Sequence, residues 1–182
     1  MSSLSLAGDT SGSITISAPS VAGTNTITLP ASTGTVLTTG SPQSGGVIQV
    51  VNASTTTTVN TASTSPIDSN LTATITPKFA TSKILVVINQ SVGKENATTA
   101  STLLNLVRNG STLGGSFGAY LLYTGASTPI YGASCAFNYL DSPATTSALT
   151  YKTQVYCNTA SGNALAQPNN SSSSITLMEI AA

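Results

Sequence analysis

Histidine and tryptophan are absent from this 182-residue chain, and only ten residues are charged: five Lys or Arg and five Asp or Glu. An ordinary soluble domain carries roughly 25% charged residues. A chain this poor in ionisable groups lacks most of the side chains that perform acid–base chemistry, ligate metals and bind phosphate. Without histidine, a serine or cysteine nucleophile has no ordinary activating base, and zinc has only two cysteines to use. The carboxylates Asp9, Asp68, Glu95, Asp141 and Glu179 lie far apart in sequence, so a catalytic pair would require the fold to bring distant members together. No Asp-x-Asp spacing offers calcium a loop, and no Gly-x-Ser-x-Gly elbow is present. The glycines of 113–118 lack the lysine and following helix of a phosphate loop. The expectation is a protein with no catalytic residues, no cofactor and no metal.

Long apolar runs are missing too. The longest, Ile84 to Ile88, is far short of the roughly 20 residues that cross a bilayer as a helix. Residues 1–9 have neither a basic stretch nor a sustained apolar core, which argues against a secretory signal and for synthesis in a cytoplasm. Balanced charge removes the clustered cations that nucleic-acid affinity needs. Partners that are nucleic acid or membrane interior are therefore not expected.

What the chain has in quantity is Ser, Thr, Gly, Asn, Val and Ile. These favour strands and turns over helices, so the fold class is all-β. Neutral net charge, with 40% hydrophobic residues, leaves isolated copies little protection against association. A homo-oligomer or a subunit of a larger particle is expected.

Residues 1–40 read as an extended arm of short alternating strands over 13–17, 25–29 and 34–38. Ile14, Ile16, Ile27, Leu29, Val36 and Leu37 are its apolar side chains, too few to close a core alone. They are the candidate assembly residues. Gly40 to Gly46 is a breaker cluster, and 41–46 is assigned as linker. Residues 47–182 carry eight to ten short strands at the spacing of a jelly-roll-like β-sandwich.

Within that domain, Leu71–Thr76 alternates cleanly. The continuous run Lys83–Asn89 suits a strand buried on both faces. Asn109-Gly110 supplies the positive φ values of a tight hairpin turn between 102–108 and 111–113. Residues 114–134 read as a strand pair looped near Pro129, and 149–157 alternate most regularly, with Leu149, Tyr151, Thr153, Val155 and Cys157 on one face. Residues 52–65 read as exposed strand or loop, 158–174 as a polar loop, and 175–180 as the last strand.

Cys135 and Cys157 read as buried thiols, with a cross-strand disulfide as the alternative. Asn-x-Ser/Thr triplets arise by chance in so Ser/Thr-rich a chain. Lys94-Glu95 reads as a solvated turn pair, and Arg108 as a strand-end charge or a ligand for a partner carboxylate. Phe117, Tyr120, Tyr123 and Tyr131, gathered in one stretch, form either packing residues or a surface-binding patch for a host glycan.

Residues 11–39, SGSITISAPSVAGTNTITLPASTGTVLTT, resemble the amino-terminal segment of tailed-phage fibre and virion structural proteins of the marine cyanobacterial phage type. Residues 75–86, 139–151 and 174–182 are similar to those proteins as well. The resemblance implies a homotrimer located in the virion, its arm attached to other tail or capsid proteins and its β domain projecting. Capsid decoration and glycan-binding adhesin are the alternative roles.

Overall fold

A computed structural model describes residues 3–21, 23–26, 28, 31, 33–34, 40, 42–95, 101–121, 131–160 and 162–182; it excludes the side chains of 3, 116–121 and 131. The chain divides into two units, residues 1–36 and 37–182.

The first unit contains two antiparallel strands, β1 (Ser3–Ala7) and β2 (Ser13–Ser17). β2 coincides with the first expected arm strand; β1 was not anticipated. Gly8 and Gly12 close the turn, with Gly8 N–H donating to the Gly12 carbonyl at 2.9 Å and Gly12 at φ 81°. The described parts of 25–29 and 33–34 are not strand, and Ile27, Leu29, Val36 and Leu37 lie outside the described residues.

The second unit is a β-sandwich. Among the described residues its strands are β3 (Val47–Thr55), β4 (Val59–Thr61), β5 (Ile67–Ile75), β6 (Lys83–Glu95), β7 (Thr102–Arg108), β8 (Ser111–Leu121), β9 (Tyr131–Asp141), β10 (Leu149–Cys157), β11 (Asn163–Ala166) and β12 (Ser173–Ile180). One sheet runs β5-β10-β7-β8. The other runs β3-β12-β6-β9, with β11 and then β4 continuing beside the second half of β6. All of these pairings are antiparallel.

The period-2 pattern of β10 is realised residue by residue: Leu149, Tyr151, Thr153, Val155 and Cys157 are buried, and the intervening residues are not. From β5, Leu71, Ala73 and Ile75 meet Ile84, Val86 and Ile88 of β6, Ile175 and Leu177 of β12, and Leu149 and Tyr151 of β10 in the larger core cluster. A smaller cluster holds Val92, Leu104, Val155, Ala164 and Ala166 together with Cys135 and Cys157. Both cysteines are buried free thiols, which settles the alternative of a disulfide. Desolvation pushes both thiols above their ordinary pKa.

Several expectations are corrected. β6 buries only one face over Lys83–Asn89: Ile84, Val86 and Ile88 point inward, while Val87 is 38% exposed. A strand at the centre of a two-layer sandwich has one face toward the core and one away from it, however apolar its sequence. Residues 114–134 do contain strands, but β8 pairs with β7 and β9 with β6, so they belong to opposite sheets. Residues 158–174 are not simply loop, because Asn163–Ala166 forms β11 with Ala164, Leu165 and Ala166 buried. Lys94 is not in a solvated turn; it is fully buried in β6.

Asn109 and Gly110 adopt φ 46° and 89°, as the hairpin turn requires. Asn109 also accepts the Thr150 N–H at 2.8 Å through its side-chain oxygen, fastening the turn to β10.

A buried polar knot joins the layers. Gln167, held at φ 52° and fully buried, donates through its amide nitrogen to the carbonyls of Ser69 (3.0 Å) and Thr57 (3.1 Å). Its oxygen accepts from Gln90 (3.2 Å) and Ser173 (2.9 Å). A buried amide left unpaired would cost about 1–3 kcal/mol, so this knot ties β5 of one sheet to β6 and β12 of the other.

Candidate functional site

The β1–β2 ribbon sorts its side chains by face. Leu4 lies opposite Ile16 and Leu6 opposite Ile14, while Ser5 lies opposite Thr15 and Ala7 opposite Ser13. Alternation along each strand therefore places all four large aliphatic side chains on one side. Each is exposed: Leu4 by 58%, Leu6 by 53%, Ile14 by 70% and Ile16 by 58%. Fully burying one such side chain is worth about 1.5–3 kcal/mol, so covering this half-exposed face would stabilise the chain by roughly 5 kcal/mol. An isolated two-stranded hairpin is at best marginal in water, and a cover for this face is what would secure it.

A second apolar surface lies on the outer side of the β3-β12-β6-β9 sheet. Cross-strand register aligns Val50, Met178, Leu85 and Leu140 in one row spanning all four strands. The next row is Asn52, Thr176, Val87 and Asn138, and the next Ser54, Ser174, Asn89 and Ala136. None of these residues is charged. Val50 is 56% exposed and Leu140 53%, and Asn52 donates to the Thr176 hydroxyl at 2.8 Å, tying β3 to β12 on this side.

Arg108, Lys152 and the four carboxylates of the sandwich are engaged within it. Asp141 at the end of β9 is buried and accepts from Arg108 at 2.5 Å and from the Tyr151 hydroxyl at 2.6 Å. Arg108, expected as a strand-end charge, thus binds a carboxylate of its own chain. The Asp141 hydrogen bond raises the pKa of Arg108, and burial followed by the same carboxylate raises that of Tyr151 well above the ordinary phenol range. Asp68 accepts from Lys152 at 2.6 Å and Gln154 at 3.0 Å, chiefly the lysine contact lowering its pKa. Glu179, buried on β12, accepts from Gln49 (2.6 Å) and from the backbone N–H groups of Lys78 (2.8 Å) and Phe79 (3.2 Å). Burial alone would raise its pKa; these donors outweigh burial and hold it below the ordinary value. Glu95 accepts from Asn60 at 2.9 Å. Among the described residues no three His, Cys, Asp or Glu side chains gather where a metal could bind, and no helix is long and apolar enough to cross a membrane.

An open groove of ≈ 500 Å³ runs beside β6 and β9, lined by Ser91, Gly132, Ala133, Ser134, Pro168, Asn169 and Ser171. Neither charge nor an aromatic face is offered by these residues. Of the expected aromatic patch, Phe117 and Tyr120 fall in β8 and Tyr131 begins β9, edge strands of the two sheets, with Phe117 in register with Leu104 and Tyr131 with Lys94. Their side chains, and Tyr123 altogether, lie outside the described residues.

Of the expected assembly residues, the structure brings Ile14 and Ile16 together on the ribbon face and joins them to Leu4 and Leu6, which sequence reasoning missed. The alternation Ser3-Leu4-Ser5-Leu6-Ala7 was the available signal. Comparison with protein-family models and with curated proteins gives no match to this chain.

Proposed function

We propose that the chain is a non-enzymatic structural subunit of a tailed-phage particle, of the tail-fibre or appendage type. In this reading it is made in the host cytoplasm, is built into the virion as a homotrimer and is held to other virion proteins by its amino-terminal arm. The observation that carries the reading is the uncovered ribbon face of Leu4, Leu6, Ile14 and Ile16. Side chains of this kind gain most of their free energy when another surface excludes water from them, either between copies or through strand addition to a host sheet.

The strand order supports the same reading. β3-β12-β6-β9 facing β5-β10-β7-β8, with most connections crossing between the sheets and the β7–β8 hairpin staying within one, is the order that the paired Greek keys of a jelly roll would have, an architecture found in viral capsid domains. The resemblance of residues 11–39 to phage fibre proteins supplies the trimer and the particle. A capsid decoration protein would use the ribbon in the same way, and copy number per particle separates the two roles: hundreds for decoration, a few dozen or fewer for a fibre.

The test is incorporation. Particles assembled with a chain lacking residues 1–36 should contain none of it, whereas normal loading of the truncated chain overturns the assignment of the arm as anchor. A glycan-binding role would show instead as glycan-array binding lost on Tyr120→Ala or Tyr123→Ala with loading intact.

A further inference from the structure

The outer face of the β3-β12-β6-β9 sheet is not absorbed by that reading. From its register and exposure we infer that it is a two-fold contact between the sandwich of one copy and the same face of a second copy of this chain, a pairing that joins trimers to one another and does not close a trimer. The row Val50, Met178, Leu85, Leu140, with Val87 beside it, runs unbroken from one edge strand to the other.

Charge selects the occupant. Ordinary protein surfaces are about 25–35% charged, and pressing such a surface onto this face would strip charges of water with no counter-charge to receive them. The chain's own outer face comes nearest to the requirement: its three rows of four residues carry no ionisable group, its one exposed cation, Lys83, stands a row beyond Leu85 at the end of the face, and the net charge of zero leaves no long-range repulsion between copies.

Area sets the strength. Strands are about 4.8 Å apart, and alternate residues along a strand about 6.8 Å, so four strands by three rows cover roughly 400 Å². A stable interface takes about 800 Å² from each partner. The face supplies half of that, so it associates weakly by itself and firmly only when copies are already gathered, which raises their effective concentration. The proposal does not depend on what the arm is anchored to.

The test uses the full chain with the ribbon made polar (Leu4→Ser, Leu6→Ser, Ile14→Thr, Ile16→Thr), followed by sedimentation velocity from about 10 μM to about 1 mM, the range of a half-sized interface. The expected result is reversible, concentration-dependent association that Val50→Lys with Leu140→Lys weakens more than tenfold. Both positions are exposed, so the thermal midpoint should move little, and circular dichroism confirms the fold. A ribbon-polar chain that stays monomeric throughout overturns the proposal, as does association that the lysines leave unchanged. Monomeric behaviour accompanied by loss of particle loading in the lysine variant would assign the face to another virion protein.

Discussion

The Tyr151 hydroxyl donates to Oδ2 of Asp141 at 2.6 Å, inside the sandwich, and the same oxygen receives Arg108. β10, β9 and β7 are thereby held at one point, the ends of β9 and β7 lying on opposite sheets. Asp141 is the shared acceptor, so Asp141→Ala strands a guanidinium and a phenol together. We expect a loss of about 2–3 kcal/mol in urea unfolding, against about 1 kcal/mol for Tyr151→Phe, which removes only one neutral donor. A double-mutant cycle between Arg108 and Asp141 should show coupling; additivity would mean that Arg108 is satisfied by water.

Alkaline stability should report the same phenol. Its pKa is raised in the folded chain from the ordinary 10.0, so the folded state keeps Tyr151 neutral where the unfolded state begins to ionise. Its contribution is complete below about pH 10 and declines as pH rises beyond that. Phenolate absorbance should therefore show one tyrosine that ionises only with unfolding, and Tyr151→Phe should flatten this part of the pH profile.

Acid acts on Glu179 in the opposite sense. Its folded pKa lies below the ordinary 4.5, so the stability it supplies is present above that pH and disappears as pH falls through the folded value. Thermal midpoints of the wild type and Glu179→Gln compared between about pH 7 and pH 3 should converge at the acid end. A constant difference would show that Glu179 does not titrate as argued.

Gly110 sits at φ 89° with open space where a Cβ would project. Gly110→Ala should cost about 1 kcal/mol from backbone conformation alone. By contrast Leu177→Ala, fully buried between the sheets, should cost about 2–5 kcal/mol through lost burial and a cavity. Chemical denaturation of the two variants would rank them; equal losses would contradict the placement of Leu177 in the core.

Alternation made the sandwich legible where one face is clearly apolar. β10, β5 and β12 each follow it, and the Asn109-Gly110 turn follows from the two residues that tolerate positive φ. Pairing is a long-range property and was not legible: nothing local in residues 114–134 says that β8 and β9 join different sheets. β11 escaped notice because Asn163-Ala-Leu-Ala166 is short and its neighbours polar, yet its small side chains fit beside β6 in the second core cluster. Lys94 escaped because charge normally marks the surface, and burial here is set by its position on β6. On the ribbon, Ile14 and Ile16 were legible by period. The Val50-to-Leu140 row was not, since it is assembled from four strands up to 128 positions apart (178 minus 50) that only the register aligns.

The two sequestered thiols give the molecule a built-in clock for opening. Cys135 and Cys157 are buried, and their thiolates are scarce because desolvation opposes ionisation. A maleimide dye added to the intact protein will find neither of them, so labelling of the native pair counts each excursion that exposes the second core cluster. A cysteine introduced at the surface will instead take the dye at once and alone, giving a site-specific handle on a chain that otherwise offers chemists very little to hold.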